Sequence, residues 1–198
     1  PLADAFFVAF RIPNTFRRLF SEGTFNAAFV PSYSSLLGNK KTSQKFANNI
    51  FTLLIMGLFF LVLAIEIIMP LFVFLIAPGF EGDYQKMDLA ITLTRITFPF
   101  LMFISLASFF SAILNSHNKF AIASAAPIIL NILLIGVLLF GKILNDQLVY
   151  YLSYAVTISG ILQLIFLYFF VKKHFSPKIS LSFKIDNKVK LFFKKLLP

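Results

Sequence analysis

Arg11-Ile12-Pro13-Asn14-Thr15-Phe16-Arg17-Arg18-Leu19-Phe20-Ser21 sets three arginines and a proline in a segment that is otherwise largely apolar. A charged side chain at the centre of a bilayer costs at least about 2.5–3.5 kcal/mol. Three of them within about two helical turns imply a wet, electropositive cavity rather than a helix facing lipid. Arg11 and Arg18, seven residues apart, share one helix face. Asp4 lies seven residues before Arg11, and Glu22 lies four after Arg18. Asp4, Arg11, Arg18 and Glu22 therefore form one stripe, with Arg17 about 100° to its side. Three arginines against two acids leave a net positive charge that pairing within the segment does not cancel. Two other readings stay open: pairing with Asp4 and Glu22 that merely holds helices together, and snorkelling to an interface. Pro13 removes a backbone hydrogen bond and favours a kink, and Asn14 is placed to help satisfy the freed groups. Gly23 gives a second soft point, and Pro31 marks the exit from this segment.

The rest of the chain supplies the membrane. Of its 198 residues 59% are hydrophobic, only 13% are charged and 28 are Phe, and mean hydropathy is +0.86. Soluble domains carry about a quarter charged residues. The net charge of +10 is distributed by topology, with no base-reading signature, so nucleic acid is not an expected partner. Cysteine is absent, which removes disulfides, thiolate nucleophiles and Cys-based metal sites. The chain opens on Pro1 and closes on Pro198 just after a basic run, and it reads as a piece of something longer.

About 20 apolar residues span the hydrocarbon core. The sequence predicts five spans, at residues 5–34, 49–77, 88–115, 121–141 and 148–171. The fold class is thus an all-α polytopic transmembrane bundle over residues 1–182, followed by a basic amphipathic helix over 183–198. In that last segment Ile185, Val189, Phe192, Phe193 and Leu196 share one face, and lysines fill much of the remainder. Such a helix lies in the membrane interface beside anionic lipids or links to another span. Lys40, Lys41 and Lys45, then Lys119, then eight lysines between Lys172 and Lys195 lie on one side of the membrane. The opposite side carries an acidic loop with Glu81 and Asp83. By the positive-inside rule the lysine-rich side is cytoplasmic. Pro1 is then outside and Pro198 inside, as five crossings require.

Enzyme signatures are missing. His117 and His174 sit in loops without a carboxylate cluster. Lys41-Thr42 lacks the glycines of a phosphate-binding loop. Glu81, Asp83 and Asp88 lack calcium-loop spacing, so a solvated acidic loop is the reading there. No metal or organic cofactor is expected, with coupling to an ion or to the membrane potential left open. Glu66 lies about 16 Å inside the second span, counting about 1.5 Å per residue, and an intramembrane carboxylate is a functional candidate by default. Asn131 and Gln163 are read as interhelical hydrogen-bond formers. Ala107, Ser108, Ser111 and Ala112 are read as a packing patch. Arg95 is read as a snorkelling residue, and Pro70, Pro99 and Pro127 as bends.

Asp4-Ala5-Phe6-Phe7-Val8-Ala9-Phe10-Arg11-Ile12-Pro13-Asn14, Arg17-Arg18-Leu19-Phe20-Ser21-Glu22-Gly23 and Phe29-Val30-Pro31 closely resemble the second transmembrane helix of the MurJ (MviN) family. Those proteins are bacterial lipid II flippases of the MOP exporter superfamily. The resemblance continues in order through Ala77-Pro78-Gly79-Phe80, Ile96-Thr97-Phe98-Pro99, Ile104-Ser105-Leu106-Ala107-Ser108, Ala112-Ile113-Leu114-Asn115, Ala126-Pro127 and Gly160-Ile161-Leu162-Gln163-Leu164. It implies two lobes of helices around a cationic cavity, with this chain forming helices two to six of the N-terminal lobe and the link beyond. It further implies flipping of the undecaprenyl-pyrophosphate-linked peptidoglycan precursor lipid II to the outer leaflet by alternating access, without ATP hydrolysis. Arg17 and Arg18 match cavity-facing arginines of the family, Asp4 and Glu22 its acidic positions, and Arg11 a basic position. Glu66 has no family counterpart.

The resulting expectation is a multi-pass protein of the bacterial inner membrane. Arg11, Arg17 and Arg18 bind substrate, and Asp4, Asn14 and Glu22 support them. Its partners are lipid II, membrane lipids, helix one and the C-terminal lobe of the same protein. Two rivals remain: another exporter of the superfamily, for a polysaccharide lipid or a drug, and a non-transporting scaffold acting through the basic tail.

Overall fold

The fold is that of a computed structural model describing residues 2–22 and 24–179. The expected amphipathic tail, residues 183–198, lies outside the described residues. Among these the chain is all helical: α1 (Leu2–Glu22), α2 (Thr24–Ser34), α3 (Lys40–Ile67), α4 (Met69–Ile76), α5 (Tyr84–Thr97), α6 (Phe100–Ser116), α7 (Phe120–Ala125), α8 (Ile128–Leu139), α9 (Gly141–Leu144) and α10 (Leu148–Val171).

Among the described residues four helical stretches are long and apolar enough to cross a membrane: Lys40–Ile67, Tyr84–Ser116, Phe120–Leu139 and Leu148–Val171. They overlap the expected second to fifth spans, the second of which, 49–77, also takes in α4. The first expected span is helical too, as α1 and α2, but the charges on α1 keep it outside that set. Two helices also start earlier than hydropathy indicates. Asn39 accepts a hydrogen bond from the Thr42 N–H and caps α3. Asp83 does the same for the Lys86 N–H at the start of α5. Side-chain caps satisfy the first free amides of a helix, so Lys40, Lys41 and Lys45 ride on the end of α3 rather than in a loop.

Prolines punctuate the spans where expected. The second is interrupted at Ile68, just before Pro70, the third at Phe98-Pro99 and the fourth at Ala126-Pro127. Each proline lacks an N–H and crowds the carbonyl four residues earlier. At Pro99 the chain tightens into bonds three residues apart, Leu101 N–H to Phe98 O at 3.0 Å and Met102 N–H to Pro99 O at 3.1 Å.

Helix α6 is the axis of the bundle, with 12 of its 17 residues buried. It packs against α10, α1, α2 and α3. Gly160 of α10 makes its close approach to α6 possible: a Cβ there would meet Phe100 Cδ2 at 2.7 Å. Small residues at such crossings let helices close up where no hydrophobic force drives them together. Toward the lysine-rich end the core is aromatic. Phe29 meets Phe109 edge-on at 5.1 Å, and Phe175 meets Phe109 at 5.8 Å and Phe51 at 6.2 Å. Toward the other end a smaller core joins Ala5, Ala9, Met69, Val73, Ala90, Leu93 and Phe98. The outward faces of α3, α8 and α10 are apolar, including Phe59, Phe60, Ile132, Ile135 and Ile165, as lipid contact requires.

Candidate functional site

Helix α1 is amphipathic, and its small residues face inward. Ala5 and Ala9 are wholly buried and let α1 lie close against α5 and α6. Pro13 is buried inside the same helix without ending it. Its ring leaves the Ala9 carbonyl, four residues earlier, without its intrahelical donor. Thr97, the last residue of α5, supplies one: its Oγ1 donates to Ala9 O at 2.8 Å and is fully buried. This donor lies 88 positions away in the chain. Asn14, expected to help satisfy the freed groups, is half-buried on the same helix.

Arg11 and Arg18 stand on one exposed face of this anchored helix. They are separated by about 10 Å at 1.5 Å per residue. Thr15 bonds back to the Arg11 carbonyl at 2.8 Å, a contact that commonly bends a helix. Asp4 forms an ion pair with Lys86 of α5 at 2.9 Å, so its described partner lies across a helix interface rather than along the stripe. That hydrogen bond and the Lys86 charge hold the Asp4 carboxyl below the usual range. Among the described residues this is the ion pair on α1, and it engages neither Arg11 nor Arg18. The side chains of Arg17 and Glu22 lie outside the described set.

Glu66 does not join this stripe. It sits near the end of α3, half-buried, with Oε1 buried and without a hydrogen-bond partner. Arg95 of α5 is the cation whose charge acts on it. The Arg95 side chain is exposed.

Three other sequence expectations change. Asn131 is exposed on α8, and Gln163 Nε2 is buried without a partner, so neither makes the interhelical bond expected of it. Ser108 and Ser111 do more than pack. With Asn26, Asn115 and Gln163 they line a cavity of about 290 Å³ between α2, α6, α7 and α10. Threonines supply two interhelical hydrogen bonds: besides Thr97, Thr157 of α10 donates to the Ile96 carbonyl just before Pro99. Among the described residues no group of three or more His, Cys, Asp or Glu is placed to hold a metal ion.

This geometry can hold a multiply charged anion. Two guanidiniums project from one side of a helix whose other side is locked into an apolar bundle, and a guanidinium fork fits phosphate oxygens bidentately.

The comparisons with known proteins agree with one another. A family model described as lipid II flippase MurJ matches residues 1–198. A probable lipid II flippase MurJ of Rhizobium tropici is 41% identical over 189 residues, covering 92% of this chain and 35% of that protein. One of Rickettsia prowazekii is 39% identical over 175 residues, covering 87% of this chain and 34% of that protein. A solved structure of lipid II flippase MurJ in an inward closed conformation superimposes with a TM-score of 0.76 at 29% identity, covering 98% of this chain and 40% of that one. The chain thus spans about a third of the length of the curated relatives it matches.

Proposed function

Because this chain belongs to the lipid II flippase MurJ family, we propose that it forms part of a carrier moving lipid II across the bacterial inner membrane. The lysine-rich end of the bundle faces the cytoplasm, and the end bearing Asp4, Lys86 and the acidic loop faces outward. Arg11, Arg17 and Arg18 receive the pyrophosphate. Coulomb attraction over about 4 Å grows from about 1 kcal/mol in water to about 4 kcal/mol near a protein surface, so a partly desolvated arginine face selects a multiply charged headgroup. The isoprenoid tail stays in lipid. Rocking of this lobe against a second one then re-exposes the site on the other side. Asp4 and Lys86 support the site by clamping α1 to α5 at its outer end.

The observation that carries this reading is the exposed pair Arg11 and Arg18 on a helix otherwise built into a membrane bundle. An arginine face opposes a cationic drug as cargo. The test is rescue of flippase-depleted cells by the full-length protein. Arg17→Ala and Arg18→Ala insert normally and fail to rescue. Full rescue by both, combined with loss of function on deleting residues 183–197, would favour a scaffold instead.

A further inference from the structure

The lysine-rich end of the bundle holds two imidazoles that the arginine site does not use. His117 follows the last residue of α6, and His174 lies three residues beyond α10. Their rings stack with centroids 4.3 Å apart and planes inclined by 26°. Tyr33 of α2 meets His117 edge-on at 6.1 Å. The Nε2 of His117 is buried and has no hydrogen-bond partner.

The segment around His174 is strapped to α3. Gln44 Nε2 donates to the His174 carbonyl at 2.9 Å, and the Ser176 N–H donates to Gln44 Oε1 at 3.3 Å. The Lys178 N–H donates to Asn48 Oδ1 at 2.7 Å. Between these bonds Phe175 is fully buried against Phe51 and Phe109. The chain leaving α10 is therefore pinned to α3 and α6 at the point where the two histidines meet.

The charged groups on the elements around this point are basic: Lys40, Lys41 and Lys45 on α3, Lys119 after α6, and Lys172, Lys173 and Lys178 on the strap. Residues 23–65, 89–145 and 147–185 contain no Asp or Glu. His174 and Tyr33 are the titratable groups in ring contact with His117. No carboxylate from these stretches is there to neutralise a proton on the pair.

We propose that His117 and His174 form a proton-released latch that holds the segment leaving α10 against α3 and α6. While His117 is neutral, the two rings stack and the strap stays closed. A proton on His117 places a charged, unpaired N–H at a buried nitrogen, against a second imidazole and without a carboxylate from the elements packed around it, and the strap opens. Burial, with the nearby His174 charge, holds the closed-state affinity of His117 for protons below the ordinary histidine range. The open state therefore binds protons more readily than the closed one. The latch is at full strength above about pH 6.5, the ordinary histidine value, and weakens as pH falls below it.

Hydrogen–deuterium exchange on the full-length protein in lipid nanodiscs tests this, read between about pH 7.5 and pH 5.5 with intrinsic exchange rates divided out. Protection of the amides at 174–178 is expected to fall by up to about tenfold per pH unit below 6.5, while the middle of α10 keeps its protection. H117Q removes the titration and leaves this protection flat across the range, and H117N serves if H117Q does not fold. Constant protection in the wild type, a wild-type slope retained in the folded variants, or loss spreading through α10 would each overturn the latch.

Discussion

Thr97 closes a gap that Pro13 opens. The proline deprives the Ala9 carbonyl of its helical donor, and the Thr97 hydroxyl takes that place at 2.8 Å. Thr97 ends α5 immediately before the break at Phe98-Pro99. The distortion of the arginine helix is thereby registered against a second proline break, which fixes how α1 presents Arg11 and Arg18.

Thr97→Val keeps the shape and removes the donor. It leaves a buried carbonyl unsatisfied, a loss of about 1–3 kcal/mol. Thermal unfolding of the detergent-solubilised full-length protein is expected to shift downward accordingly, and Thr97→Ser to recover most of the loss. Identical melting of the valine variant and the wild type would mean that Ala9 O finds another donor.

Gly160→Ala forces a Cβ against Phe100 Cδ2 at 2.7 Å and Phe103 Cβ at 3.1 Å. The Phe100 ring is fully buried, so it yields only by moving α6. Overpacking of this kind typically costs about 1–3 kcal/mol. Phe100→Val in the same chain removes the colliding Cδ atom and is expected to restore part of the melting temperature. A double variant no better than the single one would place the strain elsewhere.

The balance between legible and hidden features follows from the range of the interactions. The span Leu148–Val171 is readable because an unbroken apolar run has one outcome in a bilayer. Pro70, Pro99 and Pro127 mark the helix interruptions because their effect is local. The starts of α3 and α5 run past the hydropathy boundaries because Asn39 and Asp83 cap them, and a hydropathy window does not weigh caps. Thr97 and Ala9, or His117 and His174, meet only once the helices pack. Thr97 resembles any helix-end threonine, and the histidines resemble loop residues. Gln163 shows the converse error: a polar residue in a span reads as an interhelical bond, yet it lines a cavity. Arg11 and Arg18 are both exposed on α1, and their seven-residue spacing fixes a shared face whatever surrounds it.

Asp4 and Lys86 pair at 2.9 Å at the outer end of α1 and α5, where Asp4 is largely solvated. Exposed pairs are weak and screened by salt, so Asp4→Asn should lower the melting temperature slightly at low ionic strength and not at high. The hydrogen bond and charge of Lys86 hold the folded carboxyl below its ordinary value. Its contribution is therefore complete above that value and disappears as pH falls through the lower folded value. Exchanging the charges, Asp4→Lys with Lys86→Asp, should recover the low-salt loss. A loss that persists in high salt would point to packing rather than charge.

Arg18→Lys separates charge from geometry. Lysine keeps the positive charge but presents it as a point on a flexible stem, without the planar fork that engages two phosphate oxygens at once. Hydrogen bonds to charged groups contribute about 1.5–3 kcal/mol, so Arg18→Ala is expected to weaken binding of lipid II to the full-length protein by about 10–150-fold. The lysine variant should fall between alanine and wild type, and steep salt dependence should persist in it but diminish in the alanine variant. Arg11→Ala should act in the same direction and, at about 10 Å from Arg18, nearly additively. The measurement is binding of labelled lipid II in nanodiscs against ionic strength. Equal affinity in all four proteins would mean that this face of α1 does not meet the pyrophosphate.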